Sequence, residues 1–186
     1  MREDHFSVKT VVAVGIGAAV FFILARFVSI PVGFIPNVTI QTSYAFLALA
    51  AILFGPIAGA LIAFIGHTLT DLTAYGNPWW SWIICSAILG LLIGIIGKRI
   101  TLTASTWNKK GMLYFTIFQL IAQFIVWGLV APILDVLIYS EPASKVFTQG
   151  IVSAISNSVT VAILGNLLIS AYAKTRTEKG SLKIDV

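Results

Sequence analysis

Residues 27–97 read FVSIPVGFIPNVTIQTSYAFLALAAILFGPIAGALIAFIGHTLTDLTAYGNPWWSWIICSAILGLLIGIIG and contain a single charged residue, Asp71. Apolar residues make up 58% of the 186-residue chain and charged residues 10%, whereas soluble domains average about 45–50% and 25%. A small soluble domain keeps most of its surface in water, and this chain has too few polar side chains to cover that surface. The sequence therefore predicts an all-α integral membrane protein and excludes a soluble or disordered chain.

The apolar stretches predict six transmembrane helices in one domain, residues 1–186. A helix needs about 20 apolar residues to cross the bilayer, and four stretches are long enough. A fifth apolar run, 40–70, is interrupted by Gly55-Pro56. Because proline breaks a helix, we interpret this run as two short helices; five spans is the alternative. The predicted helices are 8–29, 41–54, 57–71, 80–97, 111–131 and 146–173.

The basic residues predict the orientation of the chain. With six spans, ten of the twelve lysines and arginines lie on the side of both termini and of loop 98–110, so that side is cytoplasmic by the positive-inside rule. Five spans would move the C-terminal basic cluster outside. This placement also accounts for the net charge of +5 without nucleic acid as a partner. The ten residues are Arg2, Lys9, Lys98, Arg99, Lys109, Lys110, Lys174, Arg176, Lys179 and Lys183.

The loops on the outer side are 30–40, 72–79 and 132–145, and they are rich in proline and aromatic residues. Such loops on one face are typical of lids over a site. Tryptophan also favours the headgroup level of a bilayer, so anchoring of Trp79 and Trp80 is the alternative. The candidate ligand contacts in these loops are Asn37, Tyr75, Asn77 and Trp79.

Polar side chains inside apolar helices are costly, so each needs a partner or a function. His67 and Asp71 lie four apart on one face of the third helix. Gln119, Gln123 and Trp127 repeat the same spacing on the fifth. Together they offer donors, acceptors and flat aromatic faces, which are typical of a site for a small, planar, polar, uncharged ligand. The further candidates at similar depth are Gln41, Tyr44 and Asn157.

Some of these polar residues have structural alternatives. His67 could simply bond a neighbouring helix. Asp71 and Asp135 could pair with Arg26 or Lys145 at the outer interface.

Small residues recur every fourth position on the first helix, as Ala13 with Gly17 and as Gly15 with Ala19. This spacing lets another helix approach closely. Of the small-residue clusters in the chain, we interpret this one as the candidate contact with another protein; packing within the bundle is the alternative. Asn166, near the inner end of the sixth helix, is interpreted as a contact between helices.

The chain contains no phosphate-binding loop, because the residues around Gly97-Lys98 fail the required pattern. The single cysteine, Cys85, lies in an apolar stretch, and we predict no metal site and no cofactor. If the protein moves a solute, it therefore depends on a partner. Two other classes stay open: a scaffold without a ligand, and an intramembrane enzyme using Asp71 and Asp135. An aspartyl dyad shares a proton between buried carboxylates, whereas both aspartates border outer loops.

Several stretches carry a family resemblance. Nearly the whole chain resembles the substrate-binding S components of energy-coupling factor (ECF) transporters, in the branch labelled riboflavin-type or hydroxymethylpyrimidine-type. The matching stretches are Ile35-Pro36-Asn37 with Gln41 and Tyr44, Gly-His-x-x-x-Asp at 66–71, Tyr-Gly-x-Pro-Trp-Trp at 75–80, Gln119 to Gln123, Pro132 with Asp135, and Glu141 to Gly150.

The resemblance implies six helices in a prokaryotic plasma membrane and a vitamin-sized ligand under the outer loops. Hydroxymethylpyrimidine or a pyridoxine-like compound is favoured, with riboflavin next, because the two short predicted helices, 41–54 and 57–71, leave little depth for a larger ligand. It also implies a transmembrane T component and two cytoplasmic ATPases as partners, so this chain is not itself an enzyme. In the family, small residues on the first helix meet the T component. Glycine replaces alanine at part of that motif here, which leaves the register open between Ala13/Gly17 and Gly15/Ala19.

Overall fold

The computed structural model describes residues 7–100, 102–103 and 105–176, and the described chain folds into helical rods joined by short loops. Three of the basic residues used to predict the orientation lie outside the described residues: Arg2, Lys179 and Lys183. The helices are α1 Val8–Phe27, α2 Ser43–Phe54, α3 Pro56–Ala74, α4 Trp80–Gly97, α5 Lys109–Ile125, α6 Ala131–Tyr139, α7 Ala143–Thr160 and α8 Asn166–Lys174.

Five rods in the described chain are long and apolar enough to cross a membrane, with α5–α6 and α7–α8 each forming one continuous rod. Helix α2 has only 12 residues and is about 18 Å long, less than the hydrocarbon thickness of about 30 Å. The predicted break at Gly55-Pro56 is confirmed: Gly55 has φ +90° and Pro56 begins α3. Helix α3 was predicted to be short, but it continues to Ala74 and has 19 residues.

A π turn lies in each of the two long rods, at Val126–Val130 and at Val161–Gly165. In the first, the Ala131 N–H donates to the Val126 carbonyl. This wide turn accommodates Pro132, which lacks an N–H and would clash with a regular turn before it. The rod therefore continues to Tyr139, and the prediction that residues 132–145 form a loop is wrong except at 140–142.

Helices α3 and α4 pack closely because glycines face each other. A Cβ added at Gly59 would lie 2.6 Å from the Gly90 carbonyl oxygen, and one at Gly90 would overlap the Gly59 carbonyl. No side chain fits at either position, so the two backbones are in contact. This contact fixes α3, and with it His67 and Asp71, against α4.

The two pairs of small residues on α1, Ala13/Gly17 and Gly15/Ala19, lie on different sides of the helix. Gly17 is buried, and a Cβ there would lie 2.6 Å from Ile62 Cδ1 of α3. The prediction that Gly17 faces another protein is therefore wrong in this structure, and Ala13 is half-buried beside it. Gly15 and Ala19 are exposed, and nothing lies within 4 Å of a Cβ at Gly15.

Between α1 and α2 the chain forms a small hairpin. Strands β1, Ile30–Pro31, and β2, Thr39–Ile40, pair antiparallel. Asn37 has φ 60°, a conformation that asparagine tolerates better than most residues. The Gln149 amide of α7 donates to the Pro36 carbonyl at 2.8 Å and so ties the hairpin to the bundle.

Candidate functional site

A cavity of about 540 Å³ lies at one end of the bundle. Its walls come from the C-terminal ends of α1 and α3, the N-terminal parts of α2 and α4, the π turn 126–130, α6 and one side of α7. The hairpin and loop 75–79 lie beside them. We call this the cavity end. Because α1 ends here and the α7–α8 rod begins here, the described chain starts and finishes at the opposite end.

Ten of the twelve predicted ligand contacts line this cavity. They come from four separate stretches of the chain, 37–44, 67–79, Trp127 and Asn157, so the fold brings together residues far apart in sequence. The ten are Asn37, Gln41, Tyr44, His67, Asp71, Tyr75, Asn77, Trp79, Trp127 and Asn157.

Gln119 and Gln123 do not line the cavity. Both are fully buried on the side of the α5–α6 rod that carries Trp127, Gln123 one turn and Gln119 two turns below it. The Gln119 amide donates to the Ser158 carbonyl at 3.1 Å, whereas neither amide atom of Gln123 has a hydrogen-bond partner among the described residues. The four-residue spacing correctly placed the three side chains on one face but did not show how deep the cavity reaches.

His67 belongs to a hydrogen-bonded group that links three helices. Ser86 Oγ of α4 lies 2.5 Å from His67 Nδ1 and 2.8 Å from Tyr44 Oη. The His67 Nε2 atom lies 3.5 Å from an Asp71 carboxylate oxygen. The predicted alternative, a bond from His67 to a neighbouring helix, is therefore present, and the same ring also lines the cavity.

Asp71 fixes loop 75–79 against the end of α3. Its second carboxylate oxygen accepts a hydrogen bond from the Trp79 backbone N–H at 2.9 Å. Trp79 in turn stacks on Tyr139, with ring centroids 4.3 Å apart. The aspartate thus positions an aromatic wall of the cavity.

Asp135 is a buried acceptor shared by three donors. It takes hydrogen bonds from Trp79 Nε1 at 2.8 Å, from Trp82 Nε1 at 2.6 Å and from Ser81 Oγ. Its carboxylate is 2% exposed. Within the part of the chain that the structure describes, neither it nor Asp71 forms an ion pair with Arg26 or Lys145, and Lys145 instead bonds Glu141 at 2.6 Å. Both oxygens of Asp135 accept hydrogen bonds, and among the described residues none joins Asp135 to Asp71. An aspartyl dyad needs two carboxylates in contact, so this arrangement argues against the dyad.

Aromatic rings form the deepest part of the cavity. Trp82 and Trp127 lie with centroids 5.3 Å apart and planes at 36°, and Tyr44 meets Trp127 edge-on at 5.5 Å. Trp127 Nε1 and Asn157 Oδ1 are buried without a hydrogen-bond partner among the described residues. Buried polar atoms are nearly always paired, so this donor and this acceptor are available to a bound ligand.

The sequence matches a known family. The model of the family described as ECF-type riboflavin transporter, S component, covers residues 5–174. The chain belongs to this family. It is therefore the substrate-binding subunit of an ECF transporter and a multi-pass protein of the prokaryotic plasma membrane. ECF S components as a class work with a T component and ATPases.

Individual relatives align with nearly the whole chain. A UPF0397 protein of Enterococcus faecalis is 57% identical over 183 residues, covering 98% of this chain and all of the relative. The UPF0397 protein SaurJH9_2709 of Staphylococcus aureus is 55% identical, covering 98% of this chain and 99% of that one.

Two solved structures show the same fold. The S component for biotin from an ECF-type ABC transporter has a TM-score of 0.63 and 22% identity, covering 89% of this chain and 90% of that one. An S component of a bacterial ECF transporter has a TM-score of 0.60 and 22% identity, covering 89% and 98%.

The rim of this S component's cavity includes residues that sequence reasoning missed as ligand contacts. Arg26, Glu141 and Lys145 were seen only as interface charges or loop members, and Gln149 and Ser153 were not considered. Gln149 and Ser153 lie four apart on α7, with Asn157 four further on, so the spacing used for α5 would have found them.

Tyr75 lies in the loop beside the rim. Partial burial, together with the nearby Asp71 carboxylate, raises the pKa of the Tyr75 phenol above its ordinary value. The hydroxyl is therefore neutral at physiological pH and can both donate and accept. The described residues contain no group of three or more His, Cys, Asp or Glu side chains that could hold a metal ion.

Proposed function

We propose that this S component captures a small, planar, uncharged nitrogen heterocycle that carries hydroxyl groups. The observation that carries the proposal is the unpartnered Trp127 Nε1 donor and Asn157 Oδ1 acceptor at the aromatic end of the cavity. A ring nitrogen or hydroxyl can accept from the indole, and a hydroxyl or amino group can donate to the amide.

The shape of the ligand follows from the aromatic residues around these two atoms. The Trp127 ring and its neighbours Tyr44 and Trp82 offer flat surfaces, which favour offset stacking or edge contact with a planar ring. We infer an uncharged ligand because the carboxylates that line the cavity already have partners in the protein. Asp135 accepts three hydrogen bonds, and Glu141 pairs with Lys145. Asp71 accepts from the Trp79 backbone N–H on one oxygen, and its other oxygen faces His67 Nε2 at 3.5 Å.

The size of the ligand is less restricted than the sequence suggested. The preference for one ring rested on two short helices, but α3 has 19 residues. A cavity of about 540 Å³ lies in the range that holds drug-sized molecules. Hydroxymethylpyrimidine, a pyridoxine-like compound and riboflavin are therefore all members of the proposed class.

We further propose that the chain crosses the membrane six times, with α2 as the short sixth span and both termini in the cytoplasm. Lys98, Lys109 and Lys110 lie at the end opposite the cavity, which favours that end as cytoplasmic. The cavity then opens outside. The exposed Gly15/Ala19 face of α1 is the candidate contact with the T component, because Gly17 packs inside the bundle.

The test is calorimetric titration of the purified protein with hydroxymethylpyrimidine, pyridoxine and riboflavin. An unmet buried hydrogen bond costs about 1–3 kcal/mol, or roughly tenfold to a hundredfold in affinity. Asn157→Ala should weaken binding of the recognised ligand by that factor. Asn166→Ala is the matched control, since it removes the same side chain from the same rod away from the cavity. It should lower thermal stability but leave affinity unchanged.

Two results would contradict the proposal. Equal loss of affinity in both variants would mean that Asn157 acts through the fold. Binding of none of the three compounds would favour a scaffold without a ligand.

A further inference from the structure

A second cavity lies at the end of the bundle opposite the first. It has a volume of about 320 Å³ and lies where α2 meets α3, beside the start of α1 and the end of α4. Lys9 and Lys98 line it, and the described residues that line it include no aspartate or glutamate. The cavity therefore carries two positive charges without a neighbouring acidic side chain from its own lining.

One of these lysines is unfavourably placed for the helix that carries it. Lys98 follows the last residue of α4, where a cation is stabilised by the negative end of the helix dipole. Lys9, in contrast, lies in the first turn of α1, and no acidic residue accompanies it in that turn. A cation there faces the positive end of the dipole, so an external anion would relieve the unfavourable charge.

The surroundings of the two lysines favour an anion attached to acyl chains. Val8 and Val12 of α1 are 80% and 52% exposed, and Phe54 at the end of α2 is 39% exposed. These apolar side chains flank the lysines at the end of the membrane-spanning helices. Basic pockets between helices at this depth are suited to lipid headgroups.

We propose that, when the S component is free of its T component, Lys9 and Lys98 bind the phosphate of an anionic membrane lipid, with its acyl chains against Phe54 and the Val8/Val12 end of α1. The site is separate from the substrate cavity and lies at the opposite end of the bundle. It does not depend on the identity of the substrate.

The test is native mass spectrometry of the purified full chain titrated with phosphatidylglycerol or with phosphatidylcholine. Wild type should hold phosphatidylglycerol more tightly than phosphatidylcholine. Each lysine near a lipid phosphate contributes about fivefold in affinity, so Lys9→Gln with Lys98→Gln should weaken phosphatidylglycerol binding about thirtyfold. The matched control is Lys109→Gln with Lys110→Gln, which removes the same charge at the same end outside the cavity. It should leave lipid binding unchanged.

Other outcomes would overturn the proposal. Equal weakening in the control would show diffuse attraction rather than a site. Displacement of the lipid by millimolar inorganic phosphate would indicate a site for a free anion. Tighter lipid binding after Glu3→Gln with Asp4→Asn would show that the chain's own acidic residues occupy the lysines. Loss of T-component assembly in Lys9→Gln/Lys98→Gln, with lipid binding intact, would assign the cavity to a protein partner.

Discussion

The substitution Asp135→Asn tests whether the buried Asp135 carboxylate holds the indole rings of Trp79 and Trp82 in place. Asp135 accepts from two indoles and one hydroxyl, but an amide offers one oxygen and turns an N–H₂ group toward the remaining donor. Trp82 Nε1 is bonded to the oxygen that Trp79 and Ser81 do not use, so it is the donor left facing the amide. Losing a buried hydrogen bond to a charged group costs about 1.5–3 kcal/mol. We expect Asp135→Asn to lower stability by about 2 kcal/mol.

Thermal unfolding in detergent, followed by tryptophan fluorescence, measures this change. A loss of about 2 kcal/mol corresponds to a fall in Tm of about 4–8 °C for a chain of this length. Trp82→Phe removes the displaced donor, so Asp135→Asn should cost about 1–2 kcal/mol less in that background. An equal fall in both backgrounds, or none in either, would refute the view that Asp135 positions Trp82.

Three further outcomes follow from the packing and the loops. Gly90→Val should prevent the contact of α3 with α4 and abolish monodisperse folding in size-exclusion chromatography, whereas normal elution would show that the helices can separate at low cost. Gln149→Ala removes the hydrogen bond to the Pro36 carbonyl of the hairpin and should speed proteolysis within the hairpin severalfold. An unchanged proteolysis rate would show that other contacts hold the hairpin. Cysteine at Lys110 should react with impermeant maleimide only from the cytoplasm and cysteine at Phe34 only from outside; the reverse pattern would invert the proposed orientation.

Much of the fold could be predicted because membrane spans depend on long apolar runs. Helix α4 was predicted to the residue, and Gly55-Pro56 marks the break between α2 and α3. The continuation of α6 beyond Pro132 could not be predicted, because a π turn cancels the usual effect of proline and depends on packing against α7. The prediction that Gly17 faces another protein was also wrong. The spacing of small residues shows that a helix can approach closely, but it does not show which helix does so.

The site was predictable for a related reason. Polar residues are costly in apolar helices, and seven of the fifteen buried polar residues among those described line one cavity. Their depth was harder to predict: Gln119 and Gln123 share a stripe with Trp127 but lie beneath the cavity. Asp135 was considered as a catalytic or ion-paired group, whereas its indole partners come from α4 and the loop before it. Such partners become visible only when the helices are packed together.

The small molecule that copurifies with the protein can be identified without choosing a ligand in advance. Gently purified wild-type protein, once denatured, should release a planar nitrogen heterocycle detectable by mass spectrometry. Asn157→Ala, purified alongside at the same yield, should release roughly tenfold to a hundredfold less, as expected for one unmet buried hydrogen bond. Recovery of a non-planar or charged solute, or equal amounts of the heterocycle from both proteins, would contradict the account.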